Sequence, residues 1–127
     1  MQKTILLAIL CIISFAANAQ NEDSLHYRMA IHFNSNCCGV PNDSPLRKTI
    51  STFKKQYGIR FISAEKISPL GREGEYMLGF KLNGMKNRTK KALIRRIKKI
   101  IPAMKDKGFA ILIENESIPR NDLPASI

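Results

Sequence analysis

Hydrophobic residues in this chain switch repeatedly between two periods, and that switching limits the folds it can adopt. The stretch His26-Tyr27-Arg28-Met29-Ala30-Ile31-His32-Phe33-Asn34 alternates. Tyr27, Met29, Ile31 and Phe33 fall on one face of a strand, with His26, Arg28, Ala30 and His32 on the other. A helical spacing follows, in which Leu46, Ile50, Phe53 and Tyr57 recur at intervals of three and four. Ser44 and Pro45 suit an N-cap and a first helical position, and Gly58 supplies a stop. "IRFISAEKI" and "GEYMLGFKL" then read as two strands separated by the turn residues Pro69 and Gly71. A second helix is predicted over roughly Asn87 to Lys107, with Leu93, Ile97, Ile100, Ile101 and Met104 as its apolar stripe. Pro102 lies inside it and predicts a kink or an early end. "FAILIE" is a fourth strand, followed by a polar, proline-containing tail.

The element order is therefore β-α-β-β-α-β, an α+β pattern with no internal repeat. It resembles the ferredoxin-like superfold: a four-stranded antiparallel sheet with two helices on one face. The resemblance rests on element order alone, and this superfold hosts many activities.

The N-terminal "MQKTILLAILCIISFAANAQ" has the layout of a secretory signal. Lys3 is the charged start, Ile5–Ala16 the apolar run and Ala17-Asn18-Ala19 the small-residue cleavage site. The expected division is a signal peptide over 1–19, one domain over 20–116 and a flexible tail over 117–127. The protein is then exported, to a periplasm or the extracellular space. No later stretch is long and apolar enough to span a bilayer.

Cys11 leaves with the signal, so only Cys37 and Cys38 remain. Two adjacent cysteines cannot tie distant parts of a chain together, so the fold rests on its apolar core. They stand in "NCCGVPNDSP", between the first strand and the first helix. Their Cα atoms are ~3.8 Å apart across a trans peptide, below the roughly 4.4–6.8 Å that ordinary disulfides prefer. A bond between them would be strained and easily reduced. As thiolates they could hold a soft cation, Cu(I) or Zn(II), with His32 as a third ligand. A bond to another chain, or packing of one cysteine beneath the loop, are the other readings. The partial positive charge of the helix start near Ser44 would favour a thiolate. The heavy-metal-associated domains have this element order and carry their thiols in this same loop, and the chain resembles them in those two respects. Their cysteines are separated by two residues, whereas Cys37 and Cys38 are neighbours.

The second feature is charge. The chain carries a formal +11, one less without Lys3. Arg88, Lys90, Lys91, Arg95, Arg96, Lys98 and Lys99 crowd into the second helix. Acids that would normally pair with them at i,i+4 are missing. A solvated outer face accounts for an amphipathic helix but not for that one-sided charge. In an exported protein the matching partners are anionic envelope polymers, lipid headgroups or an acidic protein. RNA-binding modules of this superfold stack bases on aromatics of the open sheet face. Here Tyr76 and Phe80 fall on the core side, which disfavours nucleic acid. No G-x-S-x-G, H-E-x-x-H or phosphate-binding glycine loop occurs. A Cys–His nucleophile using His32 would lack an evident orienting acid or oxyanion hole. The expectation is a non-catalytic binding domain with the cysteine loop as its special site. The alternative is a thiol-redox or soft-metal-handling protein using Cys37 and Cys38.

Overall fold

A computed structural model describes residues 24–123. The expected signal peptide lies outside the described residues. The fold is α+β: a four-stranded antiparallel sheet in the order β2-β3-β1-β4, with two helices. Its elements are β1 (Ser24–Ser35), α1 (Ser44–Tyr57), β2 (Glu65–Ile67), β3 (Tyr76–Phe80), α2 (Asn87–Ile100) and β4 (Gly108–Pro119).

Several boundaries differ from expectation for visible reasons. α2 stops at Ile100 and tightens into a 3-10 turn, Ile101–Ala103, around Pro102. Proline cannot donate to the helical ladder, so the chain turns while Met104 still reaches the core. The second predicted strand shrinks to Glu65–Ile67, and Ile59 and Ile62 before it pack on the core without joining the sheet. β4 runs to Pro119, past the expected domain end at residue 116, pairing Ser117, Ile118 and Pro119 with His26, Leu25 and Ser24. Its polar residues look tail-like because they sit on a largely exposed strand. α1 begins at Ser44, one residue before the expected Pro45, and its N-cap is Asp43 rather than Ser44. The Asn42 side chain precedes it, its Oδ1 accepting from the Ser44 N–H at 2.9 Å and the Ser44 hydroxyl at 2.8 Å. Gly58 closes α1 in the left-handed region at φ 64°, where glycine carries no Cβ penalty.

β1 is a central strand, flanked by β3 and β4. Met29, Ile31 and Phe33 are wholly buried in one cluster with Leu46 and Phe53 of α1, Tyr76 and Phe80 of β3, and Leu93, Ile94 and Ile97 of α2. Each large apolar side chain buried there contributes about 1.5–3 kcal/mol relative to exposure. Tyr27 departs from the predicted alternation. It belongs to a separate cluster with Ala30 and Met77, although its spacing places it with Met29. The departure coincides with Asn115, which holds φ 55° on the neighbouring strand and accepts a hydrogen bond from the Arg28 guanidinium. The register between β1 and β4 is the same on either side of this point.

Gly79 makes the Tyr27 position workable. A Cβ at Gly79 would lie 2.5 Å from the Tyr27 ring, which is itself buried. Glycine within a strand marks such a close approach. Gly79→Ala is expected to destabilise the domain by about 1–3 kcal/mol, or roughly 4–8 °C per kcal/mol in a thermal melt. In a Tyr27→Leu background the same change should cost clearly less. Equal losses in both backgrounds would show that the ring contact is not the cause.

Candidate functional site

The loop between β1 and α1 is held at both ends. The Asn36 N–H donates to the Lys107 carbonyl at 3.3 Å, and the Asn42 N–H donates to Asp106 Oδ1 at 3.1 Å. Pro41 is buried, and the Gly39 N–H reaches the Ser35 hydroxyl at 3.3 Å. Gly39 adopts φ 111°, open in practice only to glycine, so the turn that lifts the cysteines outward depends on it. Cys37 and Cys38 are both free and exposed, with their sulfurs 2.6 Å apart. Neither is packed beneath the loop, which removes the structural-filler reading.

The thiol chemistry differs from the expectation built on the nearby helix start. The Cys37 thiol is held above its ordinary value, first by its hydrogen bond with the Cys38 sulfur, which favours the protonated form, then by local desolvation and the negative charge of Glu73. A raised thiol is a poorer nucleophile and a poorer metal ligand at neutral pH, because the thiolate is the reactive form.

His32 does not join the cysteines. Its register partners are Met77 and Ile111, in the middle of the sheet. Its Nε2 is buried without a hydrogen-bond partner among the described residues and faces Glu116 Oε1 at 3.9 Å. Among the described residues, no three His, Cys, Asp or Glu side chains are grouped so that they could share a metal ion. The expected Cys37/Cys38/His32 ligand set for Cu(I) or Zn(II) is therefore dispersed. His26 is occupied locally, with Nδ1 2.6 Å from the Ser117 hydroxyl and Nε2 2.9 Å from that of Ser24.

At the base of the loop, Asp43 serves α1 by charge. Its carboxylate takes two hydrogen bonds from Arg47 Nε at 3.0 Å and pairs with the same guanidinium at 2.8 Å. The hydrogen bond from Arg47 holds the Asp43 carboxyl below its usual range. The Tyr76 hydroxyl also approaches it, at 3.4 Å. Burial first, and the neighbouring Asp43 charge second, push the Tyr76 phenol up to about 12.

The helices carry the basic residues in a consistent arrangement. α1 contributes Arg47, Lys48, Lys54 and Lys55, and α2 contributes Arg88, Lys90, Lys91, Arg95, Arg96, Lys98 and Lys99. Neither helix contains an acidic residue. The helices adjoin: Arg96 donates to Gln56 Oε1 at 2.8 Å and lies over the Phe53 ring at 5.3 Å. Lys98 pairs with Glu114 of β4. Arg88, Lys90, Lys91, Arg95 and Lys99 have no ion-pair partner among the described residues.

A further feature has no periodic pattern or motif to mark it in the sequence. A cleft of about 500 Å³ lies beside β2 and β3, lined among others by Ile62, Leu82, Met85, Arg60 and the exposed Phe61. Its polar edge is a short chain: the Tyr27 hydroxyl donates to Glu65 at 2.6 Å, and Lys81 donates to the other Glu65 oxygen at 2.7 Å. Lys81 first, then Tyr27, hold the Glu65 carboxyl low, while burial and the Glu65 hydrogen bond drive the Tyr27 phenol upward. The signal for this contact was Gly79, a glycine in the middle of a strand.

No helix among the described residues is long and apolar enough to cross a membrane. No protein-family model, curated protein or solved structure matches the chain.

Two outcomes follow from this geometry. In Cys38→Ala, Cys37 loses the neighbour that raises its thiol, so its alkylation at neutral pH should be faster than in the reduced parent protein. Intact mass after timed alkylation reads the rate, and an unchanged or slower rate would contradict the assignment. For Asp43, the depressed folded carboxyl stabilises the fold above the unfolded value of about 3.9. That contribution fades as pH falls through the folded value. Asp43→Asn should cost at most about 1 kcal/mol near neutrality, because the pair is solvent-screened. The difference should shrink in acid, and denaturant melts at two pH values measure it.

Proposed function

We propose that this is a small exported, non-catalytic binding domain that engages anionic polymers or headgroups of the cell envelope through its two helices. The observation that carries the reading is the charge of those helices: eleven basic side chains, no acid, and few partners within the protein. Each lysine or arginine near an anionic surface adds about 1 kcal/mol, so several acting together would give firm, salt-sensitive attachment. The sheet order β2-β3-β1-β4, and the one apolar cluster shared by both helices and Met29, Ile31 and Phe33, support a ferredoxin-like sandwich with the helices on a single face. Their outer surfaces would then form one continuous cationic layer.

The cysteine loop supports a second reading, thiol-redox chemistry, because two exposed sulfurs sit side by side at the protein surface.

Binding to vesicles containing anionic lipid, and to a soluble polyanion, distinguishes the two. Retention should fall steeply with added salt. The triple change Lys91→Glu, Arg95→Glu and Lys99→Glu should abolish it, while Cys37→Ser with Cys38→Ser should leave it intact. Retention that ignores salt and the helix changes but disappears with the cysteines would overturn the proposal in favour of the thiol reading.

A further inference from the structure

Among the described residues β4 occupies one edge of the sheet, and only β1 pairs with it. Among the described residues, no other backbone hydrogen bond reaches its outer side. Edge strands expose a row of unpaired donors and acceptors, and proteins usually blunt them with charge, proline or a very short strand. The opposite edge, β2, is short and carries Glu65 and Lys66. β4 is long, and Gly108–Ile113 contains neither charge nor proline. Phe109, Ile111 and Ile113 stand exposed at alternate positions along it, at 41%, 43% and 38%. Alternate residues of a strand share a face, so the three form one apolar stripe beside an open edge.

Charge along the strand indicates what covers that edge. Lys105 and Lys107 stand just before the apolar run, with Asp106 between them. Glu114 and Glu116 follow it. Two copies of this segment laid antiparallel bring the net positive end of each toward the net negative end of the other, with Lys107 opposite Asn115 and diagonal to Glu114 and Glu116; Asp106 falls opposite Glu116, and Glu114 is already paired with Lys98. Laid parallel, they would set like charges together, which is destabilising. With Ile111 opposite its own counterpart, Phe109 meets the partner's Ile113, and the stripe continues unbroken across the junction. The left-handed Asn115 bounds the pairing at the far end.

We propose that β4 pairs antiparallel with β4 of a second copy, centred on Ile111, joining two four-stranded sheets into one. The pairing covers Phe109–Ile113 and is a small interface, so the dimer is reversible and depends on concentration. The large positive charge on each copy opposes association. Added salt therefore strengthens the pair, the opposite of its effect on polyanion binding. The inference stands whether or not the helices bind a polyanion.

Sedimentation equilibrium of the purified protein over a range of concentrations, at low and moderate salt, tests it. The expected mass rises from one copy to two, more readily with salt. Ile111→Lys and Ile113→Lys, both at exposed positions, should each return it to one copy with the circular dichroism spectrum retained. In a Cys37→Ser, Cys38→Ser background, Ile111→Cys should form an intermolecular disulfide on mild oxidation. Antiparallel partners have Cα separations of ~4.5–5.5 Å, within the disulfide range. A single copy at every concentration would overturn the proposal and leave the edge to a strand of another protein. A dimer that survives both lysine changes and does not cross-link through Ile111→Cys would place the contact elsewhere and overturn it equally.

Discussion

The burial of β1 against the core, with a sheet partner along each edge, is the constraint on which the other elements depend. One side of the strand presents Met29, Ile31 and Phe33 to the cluster that holds α1 and α2. Its other side is covered only in part, where Ala30 packs with Tyr27 and Met77, while His26 is exposed and Arg28 and His32 are half-buried. β3 and β4 both pair with it, so its extended backbone finds partners along each edge. A strand held in this way sets where the loop after Ser35 emerges and which way α1 returns. The exposed cysteines are a consequence: β1 ends, Gly39 turns the chain outward, and buried Pro41 brings it back for Asp43 to start the helix.

With the core carried by β1 and the helices' inner stripes, the outer surfaces are free to specialise. Apart from Arg47 with Asp43 and Lys98 with Glu114, the basic residues of the helices have no ion-pair partner among the described residues. Such charge contributes little to folding, since surface pairs are worth about 0–1 kcal/mol, and self-repulsion opposes compaction. Under the binding proposed above, that charge would act by attracting an anionic partner. The edge strand β4 is different in character, apolar over Gly108–Ile113 and unpaired on one side. The two proposals predict opposite responses to salt, which lets each be tested without the other.

Much of this architecture was legible in the sequence because it rests on periodicity. The two-residue spacing through Met29, Ile31 and Phe33 and the helical spacing through Leu46, Ile50 and Phe53 are direct imprints of burial. Gly58 and Pro102 punctuate the helices by mechanisms local to one residue. What stayed hidden depends on contacts between distant positions. Tyr27 leaves its predicted companions where Asn115, far along the chain, adopts a left-handed conformation. Ser117–Pro119 looks like a tail until its pairing with Ser24–His26 is seen. For the candidate site, the cysteines' exposure could not be read from their adjacency. Nor could the separation of His32, because nearness in sequence along a strand does not bring a side chain to the loop at its end. The basic helix was plain in the sequence, whereas its union with α1 into one acid-free pair requires the shared core.

The most direct test of the account is backbone hydrogen–deuterium exchange of the full described domain, with and without a soluble polyanion at low salt. The account predicts added protection along α1 and α2, with the cysteine loop and β4 unchanged by the polyanion. Protection confined to Asn36–Asp43, or to β4, with both helices unaffected, would contradict it.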